Sequence, residues 1–415
     1  MGRKNVGLLL VLLVAGCGSP SGAPSDGGPT PGPSPSPASG AGDHEAAMVD
    51  ELRPSGYFYD LPDPMTTGER GELFKLTIRV NEPNLRVYRA MYRSTSVDGT
   101  TPVAVSGEIW IPGGLPPAGG FPIVAFGPGF GGIGDDCAYS IHPEWGYEEL
   151  LGALVDDGFV VASTDWEGHG TPLPYMDSVA ESATHSLLDG ARAAIDLLGP
   201  AASDQVLIVG HSLGGVAAAQ SLLHGPAYDE GLDIRGVVSM EGVGDFETLG
   251  DGAPGPDDVG VLDTMRNARS WSFGYPELRP QDVLTTEGME LLSRIDEDGT
   301  CDEVFWLELN GKPLHEIPVL EVTTIDWMTV DSWAARIRAQ TVTAAPYPVF
   351  YAMAEGPLAA HVRDVADRLC EVADHIEYRA YATDHDGVVD MAYPEYRTWL
   401  EERLSGDGSF DGCDF

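Results

Sequence analysis

Residues 205–223 read QVLIVGHSLGGVAAAQSLL. Gln205–Val209 is a short apolar run of the kind a strand buried on both faces requires, and Val216–Leu223 is an apolar helical stretch. Between them stands Gly210-His211-Ser212-Leu213-Gly214, a G-x-S-x-G sequence. A chain that leaves a strand and enters a helix this abruptly holds its apex residue in a strained conformation. The positions two residues away must then lack side chains. The apex also lies at a helix N-terminus, whose dipole favours developing negative charge. With 52 glycines in 415 residues the pentapeptide alone is a weak signal. The strand before it and the helix after it carry the reading, against the bland alternative of a tight turn with an idle serine. Ser212 is therefore the candidate nucleophile.

The same grammar extends outward from this turn. On its N-terminal side Pro122–Phe126 and Phe159–Ala162 read as buried strands, and Tyr147–Asp156 and Ser186–Leu198 as helices. On its C-terminal side Gly236–Met240, Pro348–Ala352 and Ile376–Tyr381 read as strands, and Glu395–Leu404 as a helix. Buried strands alternating with helices predict a mostly parallel α/β sheet. Leu73–Val80, Leu85–Arg93 and Val103–Ile111 alternate with period two, with turn signals at Asn81-Glu82-Pro83 and Asp98-Gly99, and predict a leading antiparallel meander. The pattern breaks over 245–343, where Trp271, Phe273, Trp306, Trp327 and Trp333 accompany several helical patterns. The expected layout is a core in two parts, 55–244 and 344–415, with 245–343 inserted as a helical cap.

A serine hydroxyl is a poor nucleophile without an adjacent base. In this strand order the base is expected in the loop after the last strand, where Thr383-Asp384-His385-Asp386-Gly387 stands; His385 is the candidate. His361 falls in a helical pattern and His375 precedes the strand. The carboxylate that orients the imidazole is expected after the preceding strand, which ends in Met353-Ala354-Glu355-Gly356, and Glu355 is the candidate. Asp364 and Asp367 read as exposed helix positions, while Asp384 and Asp386 flank the histidine without facing its ring. An oxyanion hole needs two N–H donors. Leu213 and, from the glycine-rich loop 127–132, Phe130 are expected to supply them. That loop lacks the Lys-Ser/Thr of a phosphate-binding loop. Asp407, Ser409 and Asp411 open like a calcium loop but lack its closing glutamate, and read as a solvated acidic tail. No His/Cys cluster has zinc spacing. Neither a metal nor a cofactor is expected.

The chain carries a formal net charge of -42 and only three lysines, Lys4, Lys75 and Lys312. Such a surface repels phosphate backbones, which argues against a nucleic-acid partner. Arg3 and Lys4 precede an apolar run, Val6–Val14, that ends in Ala15-Gly16-Cys17. A positive start, a short apolar stretch and small residues before a cysteine describe an export signal, 1–17, resembling a bacterial lipoprotein box with Cys17 lipidated. The alternative is a plain signal cut near Ala15. Residues 18–47, rich in Pro, Gly and Ser, read as a disordered tether. The expected location is the cell envelope, membrane-anchored through the lipid. Gly18 rather than Asp after the cysteine points to the outer membrane of a two-membrane bacterium. Setting Cys17 aside leaves Cys137, Cys301, Cys370 and Cys413, enough for two disulfides in an oxidising compartment, with three pairings open.

At larger scale the sequence resembles the secretory lipase family of α/β-hydrolases, which includes fungal lipase-A type enzymes and related bacterial esterases. Thr164-Asp165-Trp166-Glu167-Gly168-His169-Gly170-Thr171-Pro172 resembles that family's T-D-Y-E-G-L-G-T-P segment. Phe121–Ser140, ending in Cys137-Ala138-Tyr139-Ser140, resembles its oxyanion strand and C-A-P-S ending. Asp282–Thr285 through Cys301 resembles its cap, and Leu369-Cys370 through His385 the approach to its histidine. The resemblance implies an α/β-hydrolase fold with a helical cap, lipase or esterase activity on an ester or lipid substrate, and disulfides Cys137–Cys301 and Cys370–Cys413. Two departures stand out. Pro128-Gly129 occupies the place of a histidine-glycine pair, and the acid turn Ala352–Glu355 has Glu for Asp and no Val-Pro ending. The altered turn motivates one alternative, a non-catalytic binding lipoprotein of the same fold. Another serine hydrolase activity, peptidase or polyester depolymerase, is the second.

Overall fold

The computed structural model describes residues 41–62, 65, 68–244, 260–298, 301, 308–309, 311–323, 326–373, 375–406, 412–413 and 415. The expected export signal with Cys17, most of the tether, the first part of the cap, Trp306 and the calcium-like spacing at 407–411 lie outside these residues. The tether was expected to reach residue 47, but Ala41–Glu51 forms a helix, α1. Its Glu45 is buried and accepts hydrogen bonds from Arg86 Nε at 2.7 Å and Tyr88 Oη at 2.7 Å. Met48, Val49 and Leu52 pack on the core beside it. One short amphipathic stretch is lost when composition is averaged across a Pro/Gly/Ser-rich window.

Three long strands follow: β1 (Leu73–Glu82), β2 (Leu85–Thr95) and β3 (Pro102–Pro112). Then strands and helices alternate: β4 (Phe121–Gly127), α2 (Glu148–Asp156), β5 (Val160–Thr164), α3 (Ala180–Leu198), β6 (Ala202–His211), α4 (Leu213–His224) and β7 (Asp233–Met240). The chain leaves the sheet for α5 (Gly260–Gly274), α6 (Thr286–Asp298), the two-residue strands β8 (Glu308–Leu309) and β9 (Lys312–Pro313), α7 (Val319–Val322) and α8 (Asp331–Ala339). It returns with β10 (Val349–Ala354), α9 (Pro357–Cys370), β11 (Ile376–Tyr381) and α10 (Gly387–Ser405). Nine strands form one sheet in the order β1-β2-β3-β5-β4-β6-β7-β10-β11. The first three pair antiparallel, and β3 joins β5 antiparallel. From β5 to β11 every pairing is parallel. This is the α/β-hydrolase fold.

The parallel strands are almost wholly apolar because both faces are covered. Val206, Ile208, Val237 and Val349 pack toward α3, α4 and α9, while Leu207, Val209, Val238 and Phe350 pack toward α2 and α10. Two helices run longer than their apolar pattern suggests. Helix α3 begins six residues before Ser186 because Ser182, Thr184 and His185, though polar, are buried. Helix α10 continues through Pro394, a residue that ordinarily ends a helix.

The cap has its own core. Trp271 and Trp333 stack with ring centroids 6.3 Å apart, and Trp327 meets Trp333 edge-on at 4.7 Å. Met265, Leu291 and Val322 fill in around them. Disulfides join Cys137 to Cys301 and Cys370 to Cys413, with Cα atoms 5.1 and 5.8 Å apart. The first ties the cap to the short turn Asp135–Cys137 after β4, and the second ties the C-terminal end to α9.

Candidate active site

The site lies at the carboxyl ends of β4, β6, β7 and β11. Strand β6 ends at His211, and α4 begins at Leu213. Ser212 alone makes the turn, with φ 57° and ψ −120°. A side chain at Gly210 would collide with the Gly214 carbonyl, and one at Gly214 would collide with that of Gly127. The glycines are thus there because three backbone segments touch. The Ser212 amide donates to the Met240 carbonyl at 2.9 Å, which anchors the turn to β7.

His385 stands in the loop after β11. Its Nδ1 lies 3.3 Å from Oε2 of Glu241, not from Glu355. Glu241 is the first residue past β7, 7% exposed, with φ 53°. Its amide donates to the Ala352 carbonyl at 2.9 Å, and its Oε1 accepts from the Ala354 amide, so the end of β10 fixes both backbone and carboxylate. Glu355, one residue beyond β10, has an exposed side chain. Its amide is held by the Tyr381 carbonyl at 2.8 Å. The expectation for the acid was thus one strand too late. The carboxylate comes from β7, a sheet neighbour of β6, and β10 serves as its clamp. The overlooked signal is Met240-Glu241-Gly242: an acid directly at the end of a buried strand, followed by a glycine whose place against Gly215 has no room for a Cβ.

The electrostatics follow from this placement. The hydrogen bond that His385 donates to the Glu241 carboxylate raises the His385 pKa above its ordinary value. Partial burial lowers it, while the charges of Glu241, Asp386 and Asp263 raise it further. Burial shifts the adjacent His211 downward from its ordinary value.

His211 is the first variable residue of the G-x-S-x-G turn, and its ring lies 4.8 Å from that of His385, centroid to centroid. Its Nε2 is 3.0 Å from the His385 carbonyl, which can only accept, so Nε2 carries the proton. Nδ1 must then accept, and the Tyr147 hydroxyl, at 2.7 Å, donates to it. The Tyr147 oxygen in turn accepts from the Gly129 amide at 3.0 Å. This one-directional chain links the glycine-rich loop 127–132, the residue that caps α2, the serine turn and the histidine loop. Sequence reading had no handle on it, because its members are far apart in the chain.

The glycine-rich loop 127–132 passes directly over the serine: a Cβ on Gly129 would lie 3.3 Å from Ser212 Cβ. Leu213 opens α4 beside it. The Phe130 ring lies under the Arg266 guanidinium at 3.9 Å. Arg266, from cap helix α5, also bonds Asp177 at 2.9 Å and Asp263 at 2.8 Å, so the cap is pinned to the body next to the site. Ser212 Oγ makes no hydrogen bond among the described residues, and such bonds commonly tighten only with substrate bound. Among the described residues one group has metal-ligand spacing: His211, His385 and Asp386. The hydrogen bonds above already occupy both His211 nitrogens and His385 Nδ1.

The sequence profile of the alpha/beta hydrolase family matches residues 124–404. No curated protein matches the sequence. Among solved structures, lipase A of Candida antarctica in its closed state superposes with a TM-score of 0.68 at 17% identity, covering 87% of this chain and 90% of that one. The rice cell wall degrading esterase LipA of Xanthomonas oryzae, in a ligand-bound form, gives 0.63 at 16% identity, covering 82% and 100%. At this identity the likeness is one of fold.

Proposed function

This chain belongs to the alpha/beta hydrolase family, and we propose that it hydrolyses carboxylic esters with Ser212 as nucleophile, His385 as general base and Glu241 as the orienting carboxylate. The observation that carries this reading is the 3.3 Å contact between His385 Nδ1 and a buried glutamate clamped by the end of β10. An imidazole so held has its Nδ1 proton fixed toward the carboxylate, which leaves Nε2 as the basic nitrogen. Ser212 attacks the ester carbonyl as Nε2 takes its proton. The oxyanion that forms is met by the N–H of Leu213 and by the loop carrying Phe130, at the positive end of α4. His385 returns the proton to the leaving alcohol, and water then hydrolyses the acyl-enzyme by the same route in reverse. The altered turn at Ala352–Glu355 does not deprive the site of an acid, because Glu241 stands in its place.

The test uses a fluorophosphonate probe, which reacts quickly only with an activated serine. Label is expected on Ser212 of the wild-type protein and is expected to be lost in Ser212→Ala. In His385→Ala the labelling rate and ester turnover should fall by about 10³-fold or more. Wild-type-like turnover in either variant would overturn the assignment. Export into an oxidising compartment fits the two disulfides. Anchoring through a lipidated Cys17 is a separate proposal, resting on the sequence of the first 17 residues. Mass spectrometry of the mature N-terminus should find acyl chains on that cysteine, and an unmodified one would refute it.

A further inference from the structure

The tip of the glycine-rich loop 127–132, which passes over Ser212, is gripped from two directions. On the body side the Gly129 amide donates to the Tyr147 hydroxyl at 3.0 Å. On the cap side the Phe130 ring lies under the Arg266 guanidinium, whose carbon is 3.9 Å from the ring centroid. Next to it Gly132, with φ 124°, is pressed against the Cys137–Cys301 disulfide. A Cβ on Gly132 would lie 2.6 Å from Cys301 Cα and 2.7 Å from Cys137 Sγ. Arg266 belongs to α5 and Cys301 follows α6, so both of these cap-side contacts come from the 245–343 insertion. A cap that only covered a site would have no need to grip the backbone beside the nucleophile.

Helix α5 is in turn fixed along its length. Arg266 donates to the Asp177 carboxylate at 2.9 Å and to that of Asp263 at 2.8 Å. The Arg266 and Asp177 side chains are only 11% and 2% exposed. Further along the helix the Trp271 indole N–H donates to the Ser178 carbonyl at 2.9 Å, and the Tyr275 hydroxyl donates to the Glu181 carboxylate. The body partners at 177, 178 and 181 sit together around the start of α3. Moving one member of a buried ion pair away leaves an uncompensated charge, which is costly. Segments that swing open in function are ordinarily held by few buried contacts. Helix α5 has the opposite character, and the same Arg266 that pins it to the body also covers Phe130.

We infer that the closed cap is the working form of this enzyme, with Arg266 a positioning residue that, together with the Cys137–Cys301 disulfide, holds loop 127–132 in place over Ser212. The inference rests on Ser212 being the nucleophile of an ester hydrolase and on that loop serving the oxyanion. Lifting the cap withdraws both cap-side holds from the loop, so a cap-open form is the poorer catalyst. Such an enzyme turns over dissolved esters and gains nothing from a lipid–water surface.

Two variants of the full chain test this, because a cap that merely occludes the site predicts the opposite sign. Arg266→Met removes the cation and its bonds. Cys137→Ser combined with Cys301→Ser releases the second hold and leaves no buried charge unpaired, so it carries the test if Arg266→Met does not fold. On p-nitrophenyl acetate each is expected to lower kcat by about tenfold or more, with KM within about twofold. Fluorophosphonate labelling of Ser212 should slow by the same factor. Arg266→Lys, which keeps a cation for both Phe130 and Asp177, should recover most of the rate. Wild-type turnover of tributyrin should follow the dissolved ester and level off as an emulsion forms. Unchanged or raised kcat in the two variants would overturn the inference, and so would a sharp jump in wild-type turnover at the onset of the emulsion. If the wild type is labelled at Ser212 and the variants keep its rate, the coupling between cap and loop alone fails. If Ser212 is not labelled, the ester-hydrolase reading fails and the coupling falls with it.

Discussion

At the scale of single residues, the issue is which carboxylate serves His385. Glu241 and Glu355 each stand one residue past a strand end, on adjacent strands, yet only Glu241 is buried and aimed at the imidazole. Glu241→Gln keeps the shape and removes the charge that balances the imidazolium, so kcat should fall by about 10³–10⁴-fold. Glu355→Gln should stay within about twofold, and a reversed pattern would reinstate Glu355. The pH profile gives a second reading. His385 must be neutral to accept the serine proton, so activity rises as pH climbs through its pKa. Because Glu241 raises that pKa, the acid limb of kcat/KM should lie above the ordinary histidine range. In Glu241→Gln the limb should move to lower pH even as the maximum collapses. Tyr147 acts at one remove from the chemistry. Tyr147→Phe deprives both the Gly129 amide and His211 Nδ1 of a partner. A loss in kcat on the order of tenfold with little change in KM is expected. A change confined to KM would mean that the chain of hydrogen bonds does not position the reacting groups.

At the scale of elements, the sheet delivers the chemistry and the cap sets what reaches it. Parallel strands put their carboxyl ends on one edge, so β6, β7 and β11 bring together the proposed nucleophile, acid and base from residues 212, 241 and 385. Among the described cap residues, Trp271, Trp327 and Trp333 spend their apolar surface on one another: Trp333 is wholly buried and Trp271 nearly so. These three tryptophans therefore line no long acyl channel, and the described space beside α4 is small. Turnover of p-nitrophenyl esters should peak at short acyl chains and drop steeply by octanoyl. A maximum at octanoyl or beyond would show that the cap opens a larger apolar surface than its closed packing presents.

At the scale of the whole molecule, two disulfides fasten the cap and the C-terminal end to the body. Cys370–Cys413 closes a sequence separation of 43 residues across the C-terminal end. Replacing both cysteines by serine should lower unfolding free energy by about 2–4 kcal/mol, read from denaturant curves of purified protein. No measurable change would mean that α10 and β11 hold that end unaided. Much of this architecture was legible in the sequence, for a local reason. Whether a run such as Val206–Val209 is buried on both faces, or a turn such as Gly210–Gly214 is tight, depends on neighbours a few residues away. The parallel sheet, the leading meander, the serine turn and the loop bearing His385 could therefore be read directly. What the sequence could not determine is what depends on which strands lie side by side. The partner of His385 was sought after β10 because chain order makes β10 and β11 consecutive; the sheet puts β7 against β10 and turns Glu241 inward between them. The links from Gly129 through Tyr147 and His211 to His385 likewise join residues 18, 64 and 174 positions apart. A hydrogen bond is decided by distances of about 3 Å, and only the folded chain fixes distances at that scale.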